Sequence, residues 1–217
     1  MWSAGLGRFA DLASHRDELA SALATVGGGD ERLLGVGGKH LDAARLANVA
    51  VRGSATLPAW RRYTGVVWSA LDVASLPMEV KPRAMSSVVI VSGLLGLVAI
   101  GDPIPDYRLK MGASPAPFGR LSTWWRPAVA APLTSWAARR FIVDLLPNEH
   151  RAACSAARLR GVSVTFVEHG GKASGHDAKT AKGGLARHLL TAEAHPLDAL
   201  QSWADPRFDL LITPIGG

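Results

Sequence analysis

The sequence predicts a mixed α/β fold, and three observations carry that prediction. Apolar residues recur at helical spacing, as in Phe9, Leu12, Leu19 and Leu23. Short β-branched runs, "SVVIVS" (Ser87–Ser92) and "VSVTFVE" (Val162–Glu168), stand between such stretches. The two patterns alternate along 217 residues with no internal repeat and no linker long enough to separate two domains. One domain over residues 1–217 is therefore expected: a central mixed sheet flanked by helices, with a helical hairpin at about 30–52.

Each element has its own signal. The first helix, from Arg8 to Thr25, ends at the glycines of "VGGGDE". A second covers Lys39–Val49. A third is expected over Leu57–Leu71, with Pro58 in its first turn. "SVVIVS" is apolar throughout and reads as a central strand buried on both faces. Ser122 is placed to cap a helix whose Trp125, Val129, Leu133 and Trp136 share one face. "RFIVDLL" (140–146) and "VSVTFVE" read as strands. Asp177–Leu190 reads as a basic helix despite Gly183 and Gly184, and "FDLLITP" as a last strand.

Composition narrows the function classes. A 48% hydrophobic and 19% charged chain fits a folded domain, not a disordered one. The apolar run Val88–Ile100 falls short of the roughly 20 residues a bilayer span needs. The N-terminus lacks a signal-peptide pattern, and Cys154 is the single cysteine, so a cytoplasmic protein without membrane contact is expected. The net charge of +6 invites an anionic partner, and the excess is uneven. Between Arg151 and Leu190 stand seven Lys/Arg against Glu168 and Asp177. Neither a P-loop nor a dinucleotide fingerprint is present, and no zinc-ligand spacing occurs. No cofactor and no metal are expected. Cys154 reads as packing rather than as a nucleophile, and His150 carries no assigned role.

Two stretches carry chemistry. In "SGLLGLVAIGDPIPDYRLKMG" (Ser92–Gly112) a buried strand runs straight into Asp102, Asp106, Tyr107, Arg108 and Lys110. Polar groups at a strand end are where α/β proteins build sites. In "LLGVGGKHLDAARL" (33–46) a glycine pair precedes a helix. This resembles a helix-hairpin-helix DNA-binding turn, in which Gly35, Gly37 and Lys39 would hold a phosphate; an ordinary glycine turn between helices is the alternative.

The ordered motifs "YTGVVWSALD" (63–72), "SGLLGL" (92–97), "DPIPDYRLKMG" (102–112), "LSTWW" (121–125), "VDLLPNEH" (143–150) and "HDAKTAKGGLARHLL" (176–190) resemble the bacterial peroxide-stress YaaA family, over roughly residues 30 to 215. The resemblance implies a mixed α/β fold with a positively charged cleft, duplex DNA binding and a role in limiting oxidative damage. By position, Tyr63, Ser92, Asp102, Tyr107, Arg108, Glu149, Lys179 and Lys182 match the family's recurrent polar residues. The chain departs from the family at Leu95, Pro147 and His150 and shows no family-type opening strand and loop before Phe9.

Pro103 and Pro105 stiffen the strand-end loop, and Arg108 offers a planar fork for phosphate, sulfate or carboxylate. Lys179 and Lys182, at i and i+3, share a helical face. Together these predict an anion cradle; a structural salt bridge between Asp102 and Arg108 is the alternative. Two functions follow. The first is a cofactor-independent enzyme for a small anionic metabolite, acting by elimination or ring closure with loss of sulfate or phosphate, as in specialised biosynthesis. Asp102, Glu149 or Tyr107 would move the proton, and Arg108, Lys179, Lys182, Ser92 and Tyr63 would bind. The second is duplex DNA binding through the hairpin and the basic helix. The departures from the family favour the enzyme. The absent opening strand predicts an open sheet edge and a second polypeptide, a copy or a different subunit, that covers it.

Overall fold

Phe9, Leu12, Leu19 and Leu23 are all buried, but the first α-helix begins only at Ala13, after a 3-10 turn over Ala10–Leu12, so Leu19 and Leu23 alone of the four lie on it. A computed structural model describes residues 1–169, 175 and 177–215. In chain order the helices are α1 (Ala13–Thr25), α2 (Glu31–Leu34), α3 (Lys39–Val49), α4 (Ala59–Arg62), α5 (Val66–Leu71), α6 (Lys81–Ser87), α7 (Leu121–Ala137), α8 (Asn148–Cys154), α9 (Asp177–Thr191) and α10 (Pro196–Ser202). The strands are β1 (Leu57–Pro58), β2 (Val89–Ser92), β3 (Gly96–Ala99), β4 (Pro103–Ile104), β5 (Ile142–Asp144), β6 (Gly161–Glu168) and β7 (Phe208–Ile215). The chain forms two compact units. One takes Met1–Arg62, Val88–Trp136 and Leu146–Arg158; the other takes Tyr63–Ser87, Ala137–Leu145 and Leu159–Gly217.

The first unit is built on the β2–β3 hairpin, registered from Val89↔Ala99 to Ser92↔Gly96. The strand expected at Ser87–Ser92 is present and mostly buried, but among the described residues it pairs only with β3 rather than lying at the middle of a larger sheet. Gly96 takes φ +68°, and a Cβ there would lie 2.7 Å from the Trp125 ring. Only glycine lets that tryptophan seat, and its Nε1 then donates to the Gly93 carbonyl at 2.9 Å. Arg16, on α1, is 2% exposed and donates to the carbonyls of Leu95, Leu97, Ala4 and Leu6 at 2.8–3.0 Å. It ties the N-terminal segment to the hairpin by satisfying carbonyls that burial would otherwise leave costly.

Two local expectations fail. The single helix over Leu57–Leu71 is broken. Leu57 and Pro58 pair with Ile104 and Pro103, Ala59 N donates to Asp102 O, and the chain leaves the helix at Tyr63–Gly65 before α5. A proline that suits a helix start suits a short edge bridge equally well. Ser122 lies inside α7, which begins one residue earlier, and is buried rather than capping.

The second unit holds a three-stranded mixed sheet, ordered β5-β6-β7, with β6 parallel to β5 and antiparallel to β7. Val162, Val164, Phe166 and Phe208 face Ala181 and Leu185 of α9 and Leu200 of α10. Residues alternate in and out along β6, as a one-sided sheet requires. Arg187 of α9 donates to the carbonyls of Leu71 and Asp72, satisfying the open C-terminus of α5. Arg207 bridges Glu168 at 2.6 Å and Asp177 at 2.7 Å, closing the start of β7 onto β6 and α9. Among the described residues, no helix is long and apolar enough to cross a membrane.

The end of β6 carries a pH-dependent contact. His169 Nε2 lies 3.1 Å from Asp209 Oδ1. That hydrogen bond, with the charge of Asp209, holds the imidazole above its ordinary 6.5. A raised folded-state value means the contribution is complete below the ordinary pKa and is lost as pH rises through the raised one. In an NMR titration His169 titrates above 6.5 in the wild type and falls back in Asp209→Asn. Equal values in the two proteins would contradict the pairing.

Candidate anion-binding site

The stretch after β4 alternates in burial. Leu109 and Met111 are buried, so Arg108 and Lys110 are turned to the surface. Close packing fixes the level of this segment. Gly93 sits under it, where a Cβ would lie 2.6 Å from the Leu109 carbonyl oxygen.

Asn48 of α3, fully buried, then fixes the backbone of Arg108. Its Oδ1 accepts from Arg108 N at 2.8 Å, and its Nδ2 donates to Arg108 O at 2.9 Å and to Gly28 O at 2.8 Å. A planar amide satisfied on both sides mimics a strand partner, so Arg108 leaves from a backbone anchored to α3. No ion pair engages Arg108 among the described residues, and its side chain faces solvent.

Lys110 meets the glycine hairpin. Gly35 closes α2 in the left-handed region (φ +65°), and the Lys110 ammonium and Cε occupy the space a Cβ would take there. The turn ends at Gly38, and α3 begins at Lys39 with no side chain capping its N-terminus. Lys39 and His40 are exposed. Lys110 of the strand-end loop thus rests on Gly35 of the hairpin, joining within the first unit two stretches that the sequence presents as separate signals. One acid intrudes. The Glu31 carboxylate lies against Gly37, within 2.6 Å of where a Cβ would stand.

Backbone N–H groups hold the Asp102 carboxylate. Both its oxygens accept from Arg8 N, at 3.0 and 3.1 Å, and Oδ2 also accepts from Ala99 N at 2.8 Å. Gly7 packs directly on this carboxylate, at φ +88°. The acid therefore joins the N-terminal segment, the end of β3 and, through its own carbonyl, α4. The alternative of a salt bridge to Arg108 does not occur among the described contacts; the partners are backbone N–H groups. Tyr107 bonds Ser92 at 2.6 Å between hydroxyls, while Ser92 Oγ accepts from Leu95 N at 2.9 Å. Glu149, in the first turn of α8, packs on Gly112 and lies 3.7 Å from Arg120 Nη2. Cys154 is buried, as a packing cysteine should be.

Three expected site residues belong to the second unit. Tyr63 stacks on Trp68 with ring centroids 5.4 Å apart. Lys179 is exposed and Lys182 half-buried, both on α9; His176, just before that helix, lies outside the described residues. Among the described residues, no group of three His, Cys, Asp or Glu side chains could hold a metal ion.

Sequence reasoning missed Asn48, Arg16 and the particular place of Lys110. The Lys110 signal was available in the charged–apolar alternation Arg108-Leu109-Lys110-Met111. A buried Asn48 at i+4 from buried Ala44 gives a fainter one.

The chain is a mixed α/β protein in which a lysine of the strand-end loop packs on a glycine hairpin. The chain belongs to the peroxide stress protein YaaA family, whose model matches residues 10–210. It is 32% identical to a UPF0246 protein of Streptomyces coelicolor over 212 residues, covering 92% of this chain and 80% of that protein. It is 33% identical to a UPF0246 protein of Corynebacterium glutamicum over 181 residues, covering 80% of this chain and 71% of the other. A Flavobacterium johnsoniae UPF0246 protein is 28% identical over 155 residues, covering 67% and 61%.

Proposed function

We propose that the first unit binds the phosphate backbone of duplex DNA through the hairpin and the strand-end loop. One observation carries this reading: Lys110 lies on Gly35, bringing a cation of the loop onto the turn that precedes the uncapped α3 N-terminus. Backbone N–H groups at a helix start with flanking cations suit a phosphate and read no base sequence. The matched family is one of peroxide stress, and duplex binding in the cytoplasm would serve to shield DNA from oxidative damage. The basic face of α9, with Lys179 and Lys182, offers the second unit phosphate contacts of its own.

The test is a titration of labelled duplex against salt. Log affinity should fall linearly with log salt, and Lys39→Ala should reduce the slope by about 1. Binding that is absent at low salt or indifferent to salt removes the reading. Binding that survives Lys39→Ala but fails in Lys179→Ala moves the DNA site to α9.

The short Ser92–Tyr107 hydrogen bond favours a second reading. A small anionic metabolite would bind at Arg108 of the first unit. Elimination or ring closure would expel sulfate or phosphate, and Tyr107 or Glu149 would take the proton. Asp102 passes from candidate base to support, because its oxygens are already engaged. Under this reading duplex binding is absent and inorganic sulfate or phosphate perturbs the NMR signals of Arg108 and Tyr107.

A further inference from the structure

We propose that β7 is a dimer edge: two copies of this chain pair β7 with β7 about a two-fold axis centred on Leu210. The hydrogen-bond parity of the sheet gives the first argument. His169 N donates to Arg207 O at 2.9 Å, continuing the β6–β7 register of Glu168↔Phe208. The hydrogen-bonded pairs therefore fall on odd-numbered residues of β7. Antiparallel alternation turns the N–H and C=O groups of Phe208, Leu210 and Ile212 away from β6. Pro214, which has no N–H, falls on the same outward parity, as an edge strand allows. Among the described residues, no strand pairs with this side of β7.

The second argument is symmetry. The outward-facing window is bounded by Pro206 and Pro214, each four residues from Leu210. In an antiparallel two-fold pairing Leu210 meets Leu210 of the partner subunit, Phe208 meets Ile212 of the partner subunit, and proline meets proline at both ends. About six backbone hydrogen bonds form. No like charges stand directly opposite: Asp209 faces Leu211 of the partner subunit and Arg207 faces Thr213 of the partner subunit. A two-fold contact must be self-complementary, and this register is. The prolines also stop the ladder at that window, which limits further strand growth.

The third argument is the groove beside the edge. An open groove of about 480 Å³ runs between α10 and β7, walled by Leu200, Trp203, Phe208, Leu210 and Ile212. A two-fold axis perpendicular to the sheet sets the α10 helices of both copies on the same face. Each Trp203 and Leu200 then covers the other copy's groove, burying apolar surface that is otherwise open.

The experiment is sedimentation velocity on the full chain, from micromolar to about 100 µM. Leu211 is 56% exposed, so changing it leaves the core intact. The wild type should dimerise. Leu211→Asp sets a carboxylate opposite Asp209 of the partner subunit at two symmetric places and should weaken the dimer at least about fivefold. Leu211→Lys, facing the same acid, should hold or tighten it. Circular dichroism of both variants confirms the fold. A chain that stays monomeric to the top of the range overturns the proposal and leaves the edge to a foreign strand. So does a dimer equally strong in both variants.

Discussion

Alanine at Gly183 destabilises the protein by about 2 kcal/mol, while alanine at Gly184, one residue on, stabilises it by about 1 kcal/mol. The two glycines lie side by side inside α9, where propensity alone predicts the same gain for both. Their surroundings differ. A Cβ on Gly183 would stand 2.6 Å from Ala70 Cβ and 3.0 Å from Leu71 N, and closer still to the carbonyl oxygen of Val67. Helix α9 lies directly on the backbone of α5, and a methyl group there must push the helices apart. Gly184 meets nothing within 4 Å, so its alanine gains helix propensity without contact. Urea midpoints of the two variants measure the difference. Shifts of the same sign would mean that α5 and α9 do not approach so closely.

Asn48→Ala is the second large effect, about 3–5 kcal/mol of stability. The side chain is fully buried and makes three hydrogen bonds to backbone groups of Gly28 and Arg108. Alanine leaves a buried N–H and two carbonyls without their partner, and a desolvated polar group costs more than a lost surface bond. Asn48→Asp keeps the acceptor for Arg108 N but turns a buried carboxylate oxygen onto the carbonyls of Gly28 and Arg108, so it should cost at least as much as alanine. Because the same contact anchors Arg108, anion affinity should drop in the two variants in the same order. An Asn48→Ala protein as stable as the wild type would show that this clamp carries no weight.

These two sites show what sequence can and cannot carry. Periodic segments were legible: Lys39–Val49 forms as α3, Asp177–Leu190 as α9, "VSVTFVE" and "FDLLITP" as β6 and β7, because burial and propensity agree there. Leu57–Leu71 was not legible as two short helices, because its break depends on pairing with β4, far later in the chain. The candidate anion site was half legible. Gly35, Gly37, Lys39 and Arg108 stand out as residue types suited to phosphate, and Lys110 stands in the same charged cluster without a role of its own. That Lys110 rests on Gly35 is a tertiary fact no local pattern holds. Asp102 gives the opposite case. An acid after a buried strand reads as a base, but its N–H donors include Arg8, 94 residues away. Position in a motif marks a polar group as constrained and does not say whether chemistry or architecture constrains it.

The decisive measurement is duplex affinity at fixed low salt for the wild type, Lys110→Ala and Glu31→Gln. Lys110 brings positive charge to the hairpin and Glu31 sets a carboxylate against Gly37 on the same turn. If phosphate binds there, Lys110→Ala weakens the complex and lowers the salt slope by about 1, and Glu31→Gln strengthens the complex. Duplex binding that neither substitution changes would place the DNA elsewhere and contradict the hairpin as its site.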